Sequence, residues 1–273
     1  MSQFEKPVRH VLGISGGKDS AALAVFMKQT QPELDIEYFY CDTEKELPET
    51  YEFLARLEGF LENPIVRLNA RFGFDHWLKV YGGLLPSRQM RWCTRQLKIK
   101  PFEEFVGDDP AISYVGIRYD EERMGYKSTK DNIQAVFPFK ENRITYQDVR
   151  RILEESGVGI PEYYKWRSRS GCYFCFFQRK AEWIGLKNKH PQFWEEAKAY
   201  EKPGDETRQG YSWSQTEFLV DLENPSREKE ILEKHEQRLA RVRASMPNKP
   251  LFQVFNEALD DEQDDLPCIE CAL

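Results

Sequence analysis

The sequence contains no long apolar run, and nowhere does one approach the length of about eighteen residues that a membrane-spanning helix needs. Its first ten residues, MSQFEKPVRH, also lack the apolar segment of a secretory signal. From these absences we expect a cytoplasmic protein without a membrane partner. Hydrophobic residues make up 40% of the chain and charged residues 31%, which is typical of a globular protein and not of a disordered one.

Histidine is scarce, and its four residues show neither metal-ligand spacing nor an arrangement with a nucleophile. They are interpreted as structural or surface residues: His10, His76, His190 and His235. Cysteine is limited to six residues, and in an intracellular chain of this length that number favours metal ligation or redox chemistry over a disulfide framework. Cys41 lies next to an apolar run and is interpreted as a small buried residue.

The formal net charge of -7 argues against a protein that coats nucleic acid, but the charge is unevenly distributed. Residues 87–100 carry five cations and no acid, and residues 160–190 carry seven cations against two acids. Two basic segments in an otherwise acidic chain predict a focused site for a phosphorylated substrate. Two solvated helical faces are the alternative, and the cysteines within both segments favour the functional interpretation.

The pattern of apolar segments predicts an α/β fold. Strands are expected at residues 10–14, 36–40, 64–68 and 112–117, and helical patterns lie between them. Alternation of strand and helix implies a parallel sheet with helices on both faces and ligands at the carboxyl ends of the strands. From Tyr146 the pattern becomes helical, which predicts an α/β domain at 1–145 and a helical, cysteine-bearing region at 146–273.

The strongest chemical signal follows the first predicted strand, in Ser15-Gly16-Gly17-Lys18-Asp19-Ser20. Adjacent glycines between a strand and a helix let the backbone approach a polyphosphate, whose charge the helix N-terminus stabilises. Lys18 supplies a point charge, the serine hydroxyls supply donors, and Asp19 suits Mg²⁺ better than phosphate. The spacing differs from G-x-x-x-x-G-K-[ST], which disfavours a Walker-type NTPase. A glycine turn with a capped helix is the alternative, but it gives Lys18 no role.

Further motifs follow in order along the chain: Asp42-Thr43 with Pro48-Glu49-Thr50, Arg91-Trp92-Cys93-Thr94-Arg95 with Leu97-Lys98-Ile99 and Pro101, and Gly116-Ile117-Arg118 with Asp120-Glu121 and Arg123. With the glycine loop they resemble the N-type ATP pyrophosphatases, and within them the phosphoadenylylsulfate (PAPS) reductase group. The resemblance covers most of the first 180 residues. It implies the fold of the adenine-nucleotide α-hydrolases, with ATP as the cofactor.

The resemblance also assigns roles to residues of this chain. It implies that residues 15–20 hold the phosphates and that Asp42 and Thr43 lie by the adenosine. Gly116, Arg118 and Arg123 are implied to contact phosphate or sulfate. The two arginines suit that role because a guanidinium matches phosphate oxygens bidentately.

The cysteines form a second group. In iron-sulfur members of the family, a cysteine pair at the place of Trp92-Cys93 joins a later C-x-x-C to hold a [4Fe-4S] cluster, so the resemblance implies Cys93, Cys172 and Cys175 as ligands. Trp92 replaces one ligand, and Cys268 or Cys271 is expected to supply the fourth. Structural Zn²⁺ on Cys172, Cys175, Cys268 and Cys271 is the alternative. Glu270-Cys271 also resembles the catalytic tail of sulfonucleotide reductases, although Ala272 replaces its glycine.

The resemblance is closest to proteins of DNA phosphorothioation, and it implies an enzyme that adenylates a nucleic acid with ATP for sulfur insertion. Lys18, Asp19 and Cys271 are the expected catalytic residues, DNA is favoured over tRNA as the substrate, and a cysteine desulfurase is implied as the sulfur donor. A sulfonucleotide reductase is the alternative enzyme. A nucleotide-binding regulatory subunit without turnover is the third hypothesis.

Overall fold

The computed structural model describes residues 6–122, 128, 130–204, 210–214 and 217–245, and for 242–245 it describes the backbone only. A five-stranded parallel sheet forms its centre, in the order β3-β2-β1-β4-β5. The strands are β1 (Arg9–Gly13), β2 (Ile36–Asp42), β3 (Ile65–Asn69), β4 (Ala111–Tyr114) and β5 (Ile133–Val136). The predicted α/β class with a parallel sheet is confirmed, and the ends of the four predicted strands lie within three residues of their expected positions.

The α-helices of the described residues are α1 (Lys18–Thr30), α2 (Pro48–Leu61), α3 (Phe74–Val80), α4 (Trp92–Thr94), α5 (Lys100–Val106), α6 (Pro138–Glu141), α7 (Tyr146–Glu155), α8 (Lys180–Lys189), α9 (Pro191–Tyr200) and α10 (Pro225–Ser245). A π-helical turn, Arg95–Ile99, joins α4 to α5. Short 3₁₀ turns lie at Glu162–Lys165 and Leu219–Glu223. None of the helices described here is both long and apolar enough to cross a membrane.

Alternate residues of the strands face opposite sides of the sheet, as the pleat requires. Leu12 and Tyr38 lie in a hydrophobic cluster with residues of α1, α2 and α7. Val11 and Phe39, their neighbours along the strands, lie in a second cluster with residues of α5. Cys41 belongs to this second cluster and is buried, which confirms its interpretation as a small core residue. Helices therefore cover both faces of the sheet.

A third cluster is rich in aromatic residues and lies beside the sheet. It combines side chains from α3 and α4, such as Phe74 and Trp92, with Phe174, Trp183 and Trp213 from later in the chain. Helix α7 also belongs to the sheet's own core. Both clusters thus draw on residues from each side of residue 145, and the division of the chain at this residue stays a prediction.

Candidate nucleotide site

The carboxyl ends of β1 and β4 lie side by side where the strand order reverses, because β1 connects toward β2 on one side and β4 toward β5 on the other. In open parallel sheets such a switch point opens a crevice in which ligands bind. The loop after β1 leads into residues 15–20, and the loop after β4 carries Gly116 and Arg118. The structure therefore brings two of the sequence-predicted motifs to one crevice.

The glycine loop fits closely against its surroundings. Gly16 has a φ of +73°, and a Cβ added to it would lie 2.6 Å from Thr50 Cγ2. Gly17 is extended and forms the N-cap of α1, and a Cβ there would lie 2.7 Å from Ser170 Oγ. The loop is thus held between α2 on one side and the segment before the cysteine motif on the other, with no room for side chains at these positions.

The two serines of the loop bind each other. The amide of Ser15 donates to Ser20 Oγ at 3.0 Å, the two hydroxyl oxygens are 3.0 Å apart, and Ser20 Oγ donates to the carbonyl of Gly17 at 3.3 Å. In this conformation both serine hydroxyls form hydrogen bonds within the loop. Their predicted role as direct phosphate donors stays a prediction.

Three charged side chains meet at the start of α1. The Asp19 carboxylate accepts from Lys18 Nζ at 3.2 Å and from an Arg118 guanidinium nitrogen at 2.6 Å. A Cβ on Gly116 would lie 3.0 Å from the Asp19 carbonyl oxygen, so the loop after β4 approaches the first turn of α1 closely. Burial works to raise the pKa of Asp19, but Lys18 and Arg118 outweigh it and hold that pKa below its usual value. Asp19 therefore stays ionised and fixes two cations at the crevice.

Both carboxylate oxygens of Asp19, the predicted Mg²⁺ ligand, accept hydrogen bonds from cationic side chains. One of its oxygens accepts from Arg118 and the other from Lys18. The carboxylate thus positions cations in this conformation, and Mg²⁺ ligation by Asp19 stays a prediction.

Tyrosines that the sequence analysis did not single out cover the loop. Tyr163 donates from its hydroxyl to the Gly16 carbonyl at 2.6 Å, and the Lys18 amide donates to the Tyr164 hydroxyl at 3.3 Å. Lys18 Nζ lies 5.0 Å from the ring centroid of Tyr164 and 5.5 Å from that of Tyr146. The Lys18 side chain is only 12% exposed as a result. Nothing in the local sequence signals these contacts, which join residues more than 120 positions apart.

Replacing Tyr163 with phenylalanine is expected to lower the free energy of unfolding by about 1–3 kcal/mol, because the buried Gly16 carbonyl loses its hydroxyl partner. Chemical denaturation would measure this loss. Tyr40→Phe is the matched control, since the Tyr40 hydroxyl is buried and has no hydrogen-bond partner among the described residues. Equal losses for both variants would contradict a structural role for the Tyr163 hydroxyl.

The end of β2 contacts the cysteine motif. Asp42 accepts from the Glu44 amide at 2.8 Å and from the Tyr51 hydroxyl at 2.9 Å. Thr43 donates to Glu46 at 2.9 Å, and its hydroxyl oxygen lies 3.1 Å from Cys172 Sγ. Both predicted adenosine neighbours are buried and engaged within the protein. Their contact with adenosine stays a prediction.

The described cysteines do not form a metal site in this conformation. Among residues 6–122, 128, 130–204, 210–214 and 217–245, no three His, Cys, Asp or Glu side chains come together to hold a metal ion. Cys172 Sγ lies 3.7 Å from Glu46 Oε1, and burial together with Glu46 raises the pKa of the thiol. Metal ligation would require loss of the thiol proton, which a bound metal ion promotes. Joint ligation by Cys93, Cys172 and Cys175 stays a prediction.

Trp92 takes the place of one ligand that the resemblance implies. It is buried, its ring stacks on Tyr81 at 5.2 Å, and its indole nitrogen donates to the Leu84 carbonyl at 3.0 Å. The position at which the resemblance implies a cysteine ligand is thus part of the aromatic core. Three other predicted site residues lie outside the described residues: Arg123, Cys268 and Cys271.

Residues 9–176 match the family model of the phosphoadenosine phosphosulfate reductase domain, which is more than half of the chain. The chain belongs to this family. The family resemblance predicted from the ordered motifs is confirmed.

Three curated relatives illustrate the range of the family. An uncharacterized protein of Methanocaldococcus jannaschii is 27% identical over 206 residues, covering 71% of this chain and 41% of that protein. A second from the same organism is 26% identical over 187 residues, covering 65% and 44%. Adenosine 5'-phosphosulfate reductase of Salinibacter ruber is 31% identical over 83 residues, covering 30% and 32%. The chain spans less than half the length of these relatives.

A solved structure is also similar to the chain. The crystal structure of phosphoadenylyl-sulfate (PAPS) reductase from Candida auris, a phosphate complex, aligns with a TM-score of 0.46 and 14% sequence identity. The alignment covers 60% of this chain and 81% of that chain.

Proposed function

We propose that the chain binds ATP at the β1/β4 crevice, cleaves it between the α and β phosphates, and adenylates a nucleic acid for sulfur insertion. The observation that carries this proposal is the group of Lys18, Asp19 and Arg118 at the N-terminus of α1. Two cations, one helix N-terminus and a glycine loop point to an anionic ligand with several phosphates. The loop departs from the Walker spacing and resembles that of the N-type ATP pyrophosphatases, and this resemblance favours release of pyrophosphate over release of phosphate.

In the proposed first step, an oxygen of the nucleic acid attacks the α phosphorus of ATP. A new phosphorus–oxygen bond forms, the bond to the bridging oxygen breaks, and pyrophosphate leaves with that electron pair. Lys18 and Arg118 are placed to stabilise the negative charge that develops on the leaving group. In the second step the terminal sulfur of a persulfide attacks the activated phosphorus of the nucleic acid, and AMP leaves with the electron pair of the broken phosphorus–oxygen bond. A thiol then cleaves the sulfur–sulfur bond, which leaves the sulfur on the nucleic acid and a disulfide on the carrier.

The second step relies on groups that the described residues do not supply. Cys271 as the sulfur-carrying residue, Cys268 as a metal ligand and a cysteine desulfurase as the sulfur donor all stay predictions. Mg²⁺, which would neutralise phosphate charge, stays a prediction, as does a [4Fe-4S] cluster or Zn²⁺. No step of the proposal depends on the cluster.

A sulfonucleotide reductase is the second candidate function. It is favoured by the family to which the chain belongs and by the similarity to adenosine 5'-phosphosulfate reductase of Salinibacter ruber. In that reaction the same loop would hold the phosphates of the sulfonucleotide, and a thiolate would attack its sulfate sulfur. The two candidates differ in the bond that is cleaved, so their products distinguish them.

ATP labelled at the α phosphate is expected to yield AMP and pyrophosphate when the protein is incubated with DNA and a persulfide donor. A parallel incubation with PAPS or adenosine 5'-phosphosulfate and a dithiol measures sulfite release. ADP and phosphate as the only products from ATP would exclude the proposed cleavage. Sulfite release without AMP formation from ATP would establish the reductase in its place.

A further inference from the structure

Three guanidinium groups converge on one aromatic ring. The Cζ atoms of Arg88, Arg91 and Arg169 lie 5.8, 5.1 and 5.1 Å from the ring centroid of Phe177. Because all three are within 5.8 Å of the same point, three positive charges share a small volume. We call these three residues the arginine surface.

The arginine surface lies at the exterior of the protein. The Phe177 ring beneath it is 6% exposed, whereas the three arginines are each partly exposed. The ring holds the guanidiniums by cation–π contact, which orders long side chains before any ligand binds. Preordered cations lose less conformational entropy on binding than free ones.

The two basic segments of the sequence meet here. Arg88 and Arg91 come from residues 87–100, which contain no acid, and Arg169 comes from residues 160–190. Arg167, in the second segment, serves another purpose: it is 3% exposed and donates to the Cys172 carbonyl at 2.8 Å. Only the tertiary structure sorts these arginines into surface and interior groups.

One residue of the arginine surface is adjacent in sequence to a residue that contacts the glycine loop. Arg169 precedes Ser170, whose Oγ would lie 2.7 Å from a Cβ on Gly17 of the glycine loop. A ligand bound at Arg169 is therefore near the N-terminus of α1, where the proposed adenylation occurs.

The chemistry of the arginine surface suits phosphodiesters. Guanidinium groups match phosphate oxygens bidentately and are weakly hydrated. The rest of the chain outside the two basic segments is strongly acidic, so positive potential is concentrated near the crevice. The nearly buried Phe177 offers no free face for a base to stack on, which favours contact with the backbone of a strand over contact with its bases.

We infer that the arginine surface binds the sugar-phosphate backbone of DNA and leads it to the nucleotide crevice. This inference rests on the proposed function, in which a nucleic acid is the acceptor. The inference adds to the proposed function the place where the DNA strand binds and the residues that contact the DNA.

The test measures binding of fluorescent single-stranded and double-stranded DNA by anisotropy over a range of salt concentrations. For a single strand, each phosphate contacted at the arginine surface is expected to contribute about −0.7 to the slope of log K against log salt. Arg169→Gln is expected to weaken binding about tenfold at low salt, the effect of one charge-assisted hydrogen bond. It should also reduce the slope by about 0.7 for single strands and about 0.9 for duplexes.

Arg150→Gln is the matched control, because it removes one exposed arginine from α7 and should leave DNA binding unchanged. Equal losses for Arg169→Gln and Arg150→Gln would overturn the inference, and so would undetectable DNA binding at low salt. Competition by polyglutamate as strong as that by unlabelled DNA would assign the surface to an acidic protein and also overturn it.

Formation of AMP and pyrophosphate from ATP is measured in the same preparations. This measurement tests the proposed ATP cleavage separately from DNA binding at the arginine surface. AMP formation without DNA binding at the arginine surface would leave the proposed cleavage standing and reject the inference. Arginine-dependent DNA binding without AMP formation would reject the proposed function and retain the binding surface.

Discussion

Replacing Lys18 with alanine is expected to lower the rate of AMP and pyrophosphate formation at least about 100-fold, the effect of removing one preorganised charge from a transition state. The ammonium group lies between Tyr146 and Tyr164 and is tied to Asp19, so water screens it little. Its interaction with the charge that develops on pyrophosphate is therefore strong. Product analysis with α-labelled ATP measures the loss.

The fold should tolerate the change at Lys18. Its ammonium contacts Asp19 at the crevice, and Asp19 keeps its ion pair with Arg118 after the substitution. The thermal midpoint of Lys18→Ala should accordingly remain near that of wild type. Lys229→Ala, which removes an exposed lysine of α10, is the control for turnover. A rate loss below about tenfold in Lys18→Ala would remove this residue from the catalytic machinery.

Replacing Gly16 with alanine is expected to produce the largest loss of stability, and with it the loss of ATP binding. Two separate effects lower the free energy of unfolding of this variant. An alanine at a φ of +73° costs about 1–2 kcal/mol because of left-handed backbone strain. A Cβ placed 2.6 Å from Thr50 Cγ2 adds about 1–3 kcal/mol of overpacking.

Two further variants separate these costs. Gly82 has a φ of +67° and no atom within 4 Å of an added Cβ, so Gly82→Ala reports the backbone strain alone. Thr50→Ser removes the obstructing methyl group, so it should restore part of the stability of Gly16→Ala but not of Gly82→Ala. Urea denaturation of the single and double variants measures both terms. If Gly16→Ala and Gly82→Ala lose equal stability, the loop is not confined as the structure indicates.

The sequence by itself determined the features that depend on neighbouring residues. Short apolar runs predicted β1 to β4, and the two glycines after β1 predicted a strand, turn and helix with an anion-binding N-terminus. Ordered motifs predicted the family. Strand β5 was not predicted, because Ile133–Val136 is short, contains a glutamine and is only partly buried, so its apolar pattern is weak.

Tertiary structure alone decided the composition of the site. Arg118 reaches Asp19 across 99 positions of sequence, and Tyr163 reaches Gly16 across 147, so no local pattern could pair them. The same holds for Trp92, which packs into the aromatic core where a ligand was implied, and for Cys172, which faces Glu46. Composition located the basic segments, but packing decided that Arg169 lies on the surface and Arg167 in the interior. Sequence patterns report burial and local geometry, whereas the partners of a buried charge are set by which loops the sheet brings together.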